Sequence, residues 1–595
     1  MPIYQAPLRD MRFVIHELFG AEHLLNALPG FEELSADLID AVLEEAGKLA
    51  EGLLLPLNQT GDEQGCRYER GAVTTPEGFK QAYQTFIESG WNGLGCDPRY
   101  GGQGLPAILE FMVEEMWCAA NVAFSLYPVL TNGAYRALAA HASDELKQRF
   151  LPAMVEGRWT GTMCLTEPHS GTDLGLIRTK AEVAADGSYR ITGSKIFITG
   201  GEQDLTENII HLVLARLPDA PPGIKGISLF IVPKFKLNAA SQPGESNGVH
   251  CGSIEHKMGI KGAATCVINF DNAEGFLVGA PGKGMACMFT MMNTERLAIG
   301  LQGLGLAEIA YQNAVVYARE RLQGRAPEGP RYPEKPADPI IVHADVRRML
   351  LTVRAYNEGC RALAGWVALQ IDRAHRHPEP SERERADDLV ALLTPIVKAF
   401  FSDLGFENCN QMLQVYGGHG YIREWGMEQY VRDARIAQIY EGTNGVQAMD
   451  LVRRKLFLHG GRLATRFFDM VSEFVEQERG TTGMEPYLIP LESALNRLRD
   501  VTRLIVQRNA ADPNEPGAAA VDYLRLFGLV ALGYMWSQSA RVALEQVGGA
   551  EADFYRAKLA TARFYFQRLL PATGALSETI KAGSEAVMEL DEAAF

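Results

Sequence analysis

AEVAADGSYRITGSKIFITGG, running from Ala181 to Gly201, is the stretch that decides the fold. Two short runs of alternating apolar and polar residues flank Asp186-Gly187, a pair that favours a tight turn, so the spacing predicts a β-hairpin. Further runs extend it: Ile209–Leu217 (IIHLVLARL), Gly226–Pro233 (GISLFIVP) and Thr265–Phe270 (TCVINF). Together they predict a small all-β domain ending near residue 275. The polar, turn-rich segment 238–250 reads as an exposed excursion from it.

On both sides the period changes from two to that of a helix. Met11, Val14, Ile15, Leu18 and Phe19 recur at amphipathic-helix spacing, and Ser35 stands where a helix N-cap is needed ahead of Ile39, Val42, Leu43 and Ala46. Past Gly284 the chain returns to long helical blocks, and the last 130 or so residues are helical again and rich in apolar residues, which predicts burial against the main body or a second subunit. The expected fold class is therefore α+β and multidomain: an N-terminal helical domain (1–160), a central β-barrel or sandwich (161–275), a helical bundle (276–458) and an additional helical domain (459–595).

The chain has 595 residues, 47% hydrophobic and 22% charged, which is globular and too long for one core. Its formal net charge of −16 argues against a bulk nucleic-acid binder, since phosphate recognition needs a basic face. The nine cysteines form no C-x-x-C pair, which disfavours a disulfide framework and a sulfur-ligated metal site and fits a reducing cytoplasm. The N-terminus has no pattern of a secretory signal, and no run of about 18 apolar residues predicts a membrane span.

Three stretches suggest chemistry. In MCLTEPHSGTDLGLIRTKAE, residues 163–182, hydroxyls and backbone N–H groups gather at a proline-stiffened bend that suits a polar heterocycle, a phosphate or an ordinary surface turn. Phe197 and Thr199 share one strand face, which is either an ordinary half-buried strand or a place where an aromatic and a hydroxyl back a flat ring. In IYEGTNG, residues 439–445, Glu441 precedes residues that bend sharply; it is either a solvated turn residue or a base aimed into a pocket.

The order TEPHSGTD, KIFITGG, NTERLAIGLQGLG, YARERLQGR and VYGGHGYIREWGMEQYVRDARIAQIYEGTNGVQ resembles the flavin-dependent acyl-CoA dehydrogenases over roughly residues 35 to 455. The length and HSGTD resemble the family's bacterial branch of about 600 residues, which holds 3-methylmercaptopropionyl-CoA and fatty acyl-CoA dehydrogenases. The resemblance implies FAD, an acyl-CoA substrate and Glu441 as the base that takes the pro-R α-proton while a hydride leaves the β-carbon for the flavin, giving a trans-2-enoyl-CoA. It implies flavin contacts from Met163, Leu165, Thr166, Gly171, Thr172, Phe197 and Thr199. Arg321 and Thr443 fall at pyrophosphate positions. Gln414, Gly417 and Gly418 match the segment that receives the adenine half of FAD from a neighbouring subunit, which implies a homodimer or homotetramer with a shared FAD site. Thr172, Asn293, Arg296, Tyr440 and Gly442 fall at substrate positions. Ala344 and Gly445 replace glutamines usual in the family, and Phe197 stands where tryptophan is frequent.

Saturated straight-chain substrates of medium to long length, consumed in β-oxidation with an electron-transfer flavoprotein as acceptor, are the resulting expectation; short methylthio-propionyl thioesters come second. An acyl-CoA oxidase, a flavin monooxygenase or nitroalkane oxidase on the same scaffold, a DNA-binding relative and a structural subunit are the competing readings. The slightly acidic tail removes electrostatic support from the DNA-binding one. Glu428 and Asp433 are expected to serve structure, Asp433 through its flanking arginines, and His419 to be a backbone-bonded turn residue. No metal site is expected.

Overall fold

The computed structural model describes residues 2–595 and divides into two compact units. Of the described residues, one comprises those up to 47, with 106–119 and 299–595; the other comprises 48–105 and 120–298. The chain passes from one to the other within the helix Ala107–His141, where Asn121 leaves helical geometry (φ −161°, ψ 86°).

The second unit is built on the predicted strands. β1 (Arg67–Glu69) and β2 (Ala72–Thr74) form a small hairpin in a region expected to be wholly helical. Its turn uses Arg70 and Gly71, both with positive φ. A seven-stranded sheet follows: β3 (Trp159–Cys164), β4 (Lys180–Val183), β5 (Tyr189–Thr199), β6 (Asn208–Arg216), β7 (Ile227–Pro233), β10 (Val249–Ile254) and β11 (Thr265–Val278). β4 and β5 are the Asp186-Gly187 hairpin, in antiparallel register from Val183 opposite Tyr189. Because β7 pairs with both β6 and β11, the strands β11-β5-β4-β6-β7 close into a small barrel, with β10 and β3 beside it. The excursion is itself paired, as β8 (Phe235–Leu237) with β9 (Pro243–Ser246).

β6 is buried along eight of its nine residues, which explains why NIIHLVLAR shows no alternation. Two polar side chains, Asn208 and His211, are carried inside with it. His211 is fully buried, its Nδ1 lies 2.8 Å from Thr162 Oγ1 and its Nε2 has no partner. Burial, with Lys234 assisting, pushes its pKa down to about 3 from an ordinary 6.5. The unfolded chain therefore takes up a proton below pH 6.5 that the folded chain refuses until about pH 3, so stability present above 6.5 drains away across that window. Between pH 7 and pH 4 this one residue is expected to cost about 3 kcal/mol. Urea titrations of wild type and His211→Gln at both pH values check it; parallel losses in the two proteins would show that His211 is not responsible.

The first unit is helical. Ser35 caps the helix Ala36–Leu49 through Leu38 N–H (3.2 Å), and Ile39, Leu43 and Ala46 are buried. The N-terminal amphipathic segment starts as the helix Leu8–Arg12 and widens to a π-helix over Phe13–Leu18, keeping Met11, Val14, Ile15 and Leu18 inside. Three long helices, Gly284–Glu320, Ala344–Arg376 and Pro380–Tyr416, carry the bundle sequences. The apolar tail folds back on them: in the helix Glu515–Gln546, Trp536 is buried and its indole N–H donates to Ala355 O (3.0 Å). Two segments, Pro380–Tyr421 and Glu515–Gln546, are long and apolar enough to cross a membrane, which the expectation from uninterrupted apolar runs missed; 78% of the apolar window in each is buried, as in core helices.

Candidate active site

In the barrel unit, β3 runs into a four-residue turn closed by Glu167 and Ser170, which exchange both backbone hydrogen bonds (3.0 and 2.9 Å). Met163, Leu165 and Thr166 are half-buried leading into it, and Gly171 and Thr172 are exposed directly after it. The loop is rigid because Glu167 points inward. Its carboxylate accepts from Arg178 N–H (2.7 Å), Thr179 N–H (3.0 Å), Thr179 Oγ1 (2.7 Å) and the fully buried Lys195 Nζ (2.9 Å). Burial pushes this carboxyl up, but Lys195 and the other donors outweigh it and hold it below the usual carboxylate range. Lys195 also donates to Leu165 O (2.9 Å), so one ammonium ties β5 to the loop.

Phe197 and Thr199 do face outward, with Ile198 buried between them. β5 is not regular there, however. Its register against β11 slips between Ile198 and Lys195, and Phe197 takes φ +59° with 59% of its surface exposed. The bulge turns an aromatic ring out of the sheet, a conformation costly for a residue with a Cβ. Farther along this unit, Arg296 is buried and donates to Asn293 Oδ1 (3.2 Å) one turn earlier in the helix.

In the helical unit, Glu441 has φ +54° and Gly442 φ +79°, two consecutive left-handed residues. At φ +79° any side chain on Gly442 would be strained, and its Cβ would also meet Gln447 Nε2 at 2.7 Å, so the position favours glycine. Thr443 caps the helix Asn444–Asp450 by accepting from Val446 N–H (3.2 Å). Tyr440 donates its hydroxyl to Gln302 Oε1, and Glu441 is half-buried. Arg321, just past the helix Gly284–Glu320, and Gln414, near the end of Pro380–Tyr416, are exposed. Gly417 (φ +57°) and Gly418 have open space where a Cβ would stand. Ala344 and Gly445 also lie at exposed positions.

Three neighbours expected to serve structure are all engaged, His419 also accepting Ile422 N–H at its carbonyl (3.1 Å). Arg432 pairs with Glu428 one turn earlier, while Asp433 is buried and accepts from Gln429 (3.2 Å). His419 is held by its ring: Nδ1 lies 2.9 Å from Tyr317 OH, and the ring stacks on Trp425. A surface cavity of about 660 Å³ near His169, Arg178 and Arg216 contains none of the expected site residues. Arg216 there is spent on the backbone carbonyls of Ile177, Gly175 and Pro221.

Family models match nearly end to end: the acyl-CoA dehydrogenase N-terminal domain over residues 40–158, its middle domain over 162–273, its C-terminal domain over 282–456, and the acetyl-CoA dehydrogenase C-terminal-like domain over 467–591. The chain belongs to the acyl-CoA dehydrogenase family. It is 42% identical to a 3-methylmercaptopropionyl-CoA dehydrogenase of Ruegeria pomeroyi, over 95% of this chain and 96% of that protein. It is 34% identical to a broad-specificity linear acyl-CoA dehydrogenase of Mycobacterium tuberculosis, over the full length of both. A solved acyl-CoA dehydrogenase from Bacillus anthracis, complexed with FAD, shares the fold at a TM-score of 0.75 and 20% identity, covering 94% of this chain and 90% of that one. This acyl-CoA dehydrogenase is an oxidoreductase, and the family's cofactor is FAD. Its residues fit that group: an outward-turned Phe197 ring offers a stacking face, Gly417 and Gly418 leave backbone open to close approach, and Arg321 offers a forked donor at the surface.

Sequence reading missed Glu167 with Lys195 behind the 163–172 loop in one unit, and the buried Lys398 under the Glu441–Gly442 turn in the other. For Lys398 the available signal was a lone charge inside an apolar helical run, TPIVKAFF.

Proposed function

We propose that this acyl-CoA dehydrogenase oxidises saturated straight-chain acyl-CoA thioesters of medium to long chain to trans-2-enoyl-CoA, in fatty-acid β-oxidation. The observation that carries the reading is Glu441 at φ +54°, immediately before Gly442 at φ +79°. Strain of that kind persists only where the surroundings over-determine it, and it clusters at active sites. Bound FAD supplies the hydride acceptor. Glu441 takes the α-proton onto its carboxylate, and its own backbone N–H donates to the thioester oxygen, where negative charge develops as the proton leaves. Tyr440 and Gly442 wall the reacting carbons, while Thr172, Asn293 and Arg296 hold the CoA side.

Met163, Leu165, Thr166, Gly171, Thr172, Phe197 and Thr199 would flank the flavin, and Arg321 and Thr443 would take its pyrophosphate. Gln414, Gly417 and Gly418 would receive the adenine end from a neighbouring subunit, making the enzyme at least a homodimer. An electron-transfer flavoprotein is the acceptor we assign, and the cytoplasm the compartment. A second reading, a short methylthio-propionyl thioester, is favoured by the 42% identical relative, named for that substrate.

Anaerobic bleaching of the flavin by acyl-CoAs of about four to eighteen carbons, alongside 3-methylmercaptopropionyl-CoA, ranks the substrates, because pocket depth and width set the preference. The expected result is fastest bleaching by medium to long chains, slow reoxidation by air, and sedimentation of the flavin-loaded protein as a dimer or larger. Fastest bleaching by the methylthio substrate selects the second reading, and rapid turnover with oxygen would make the enzyme an oxidase.

A further inference from the structure

Both carbonyls of the Glu441–Gly442 turn are gripped from beneath by buried side chains. Glu441 O accepts from Gln447 Nε2 (3.2 Å), and Gly442 O accepts from Lys398 Nζ (2.8 Å). Gln447 and Lys398 are both fully buried. An ammonium is costly to bury, so one placed under a turn needs strong acceptors. Lys398 finds a second in Asn444 Oδ1 (2.8 Å). The amide of Asn444 cannot swap ends, because its Nδ2 donates to Ala399 O (3.1 Å) and Asp403 Oδ1 (2.7 Å), groups that only accept, and Ser402 Oγ donates to its Oδ1 (3.3 Å). Lys398 stands mid-way along the long helix Pro380–Tyr416, so the grip is anchored to a rigid element.

The peptide bond is planar and trans, so each carbonyl fixes the N–H that opposes it. With Glu441 O held, the N–H of Gly442 points away from Gln447; with Gly442 O held, the N–H of Thr443 points away from Lys398. The two planes that follow the Cα of Glu441 are thereby set, and with them the ψ of Glu441 and the left-handed conformation of Gly442, so the turn is held from its C-terminal side.

We infer that Lys398, seconded by Gln447, is a positioning residue of the reaction: it holds the Glu441–Gly442 turn in the conformation that aims the base, without touching substrate or cofactor. The inference rests on Glu441 being the base.

The test uses Lys398→Met and Gln447→Met in the FAD-loaded full chain, with Glu441→Gln as control. Lys398→Met is expected to keep its FAD and a KM within about twofold of wild type, while kcat falls about 10- to 100-fold, the scale of a small misplacement of a catalytic group. Amide hydrogen exchange over residues 439–446 should quicken, with the rest of Pro380–Tyr416 unchanged. Gln447→Met should do the same more weakly, and it carries the test if Lys398→Met does not fold. Glu441→Gln should leave exchange at the turn as in wild type. Unchanged kcat, or unchanged exchange over 439–446, overturns the inference. In a variant that still folds, loss of FAD and a raised KM in parallel with the fall in kcat make Lys398 merely structural and overturn it equally. Should Glu441→Gln retain activity, the base assignment fails, while the exchange data still report whether Lys398 holds the turn.

Discussion

Glu441→Gln is expected to purify with FAD bound and to lose reduction of that FAD by acyl-CoA by at least about a thousandfold, within the range general-base catalysis contributes. The amide has the size and shape of the carboxylate, so the left-handed turn, the contact of Gln447 with Glu441 O and the contact of Lys398 with Gly442 O can all persist. What disappears is the only group at that position able to accept a proton. The α-proton of a thioester is so weakly acidic that polarising the carbonyl cannot remove it without a base. Other acids in the same segment are engaged: Glu428 with Arg432, and Asp433 in the interior with Gln429. Stopped-flow reduction with a good acyl-CoA substrate measures the effect. Retained flavin reduction at more than a few per cent of the wild-type rate would place the base elsewhere.

What the sequence could and could not disclose follows from how local each cause is. The Asp186-Gly187 hairpin and the Ser35 cap are set by neighbours within a few residues, and both are observed where their signals stand. The Arg70-Gly71 turn was equally local, and its alternation was overlooked between helical segments. The bulge at Phe197 was not legible, because no glycine or proline marks it; it arises where β5 and β11 pair out of step. The candidate site divides in the same way. Glu441, Gly442 and Thr443 are adjacent and could be read together, whereas Lys398 meets the turn from 44 residues away. Its only trace was a charge breaking an apolar helical face. The buried ions of the bundle were less visible still, since Asp10 and Arg361 are 351 residues apart.

Arg361→Met is the substitution expected to destabilise the helical unit most. The Arg361 guanidinium is 2% exposed in side-chain surface and serves three carboxylates: both oxygens of Glu115 (3.0 and 2.9 Å from Nε), Asp10 (2.5 Å) and Glu308 (3.2 Å). Lys558, from the C-terminal helix Ala552–Phe564, completes the cluster by donating to Asp10 and to Glu358 (2.7 Å). Burial raises the pKa of Asp10, but Lys558 and Arg361 outweigh it and keep the carboxyl below its ordinary range. Glu115 goes the other way: burial exceeds the pull of Arg361 and pushes it up to about 7. Methionine fills much of the volume and removes the charge, leaving carboxylates buried without their cation, which typically costs about 3–5 kcal/mol. The sign of the pH dependence follows. Uncompensated carboxyls have folded pKa values above their unfolded ones, so the folded variant binds the extra protons and is relatively stabilised as pH falls. The deficit against wild type should therefore be largest near pH 8 and shrink towards pH 5.5, and adding Glu115→Gln to Arg361→Met should recover part of it at pH 8. Urea titrations at the two pH values measure both effects. A deficit below about 1 kcal/mol, or one that grows as the pH falls, would mean the cluster relaxes onto water or other donors and that Arg361 is not what balances it.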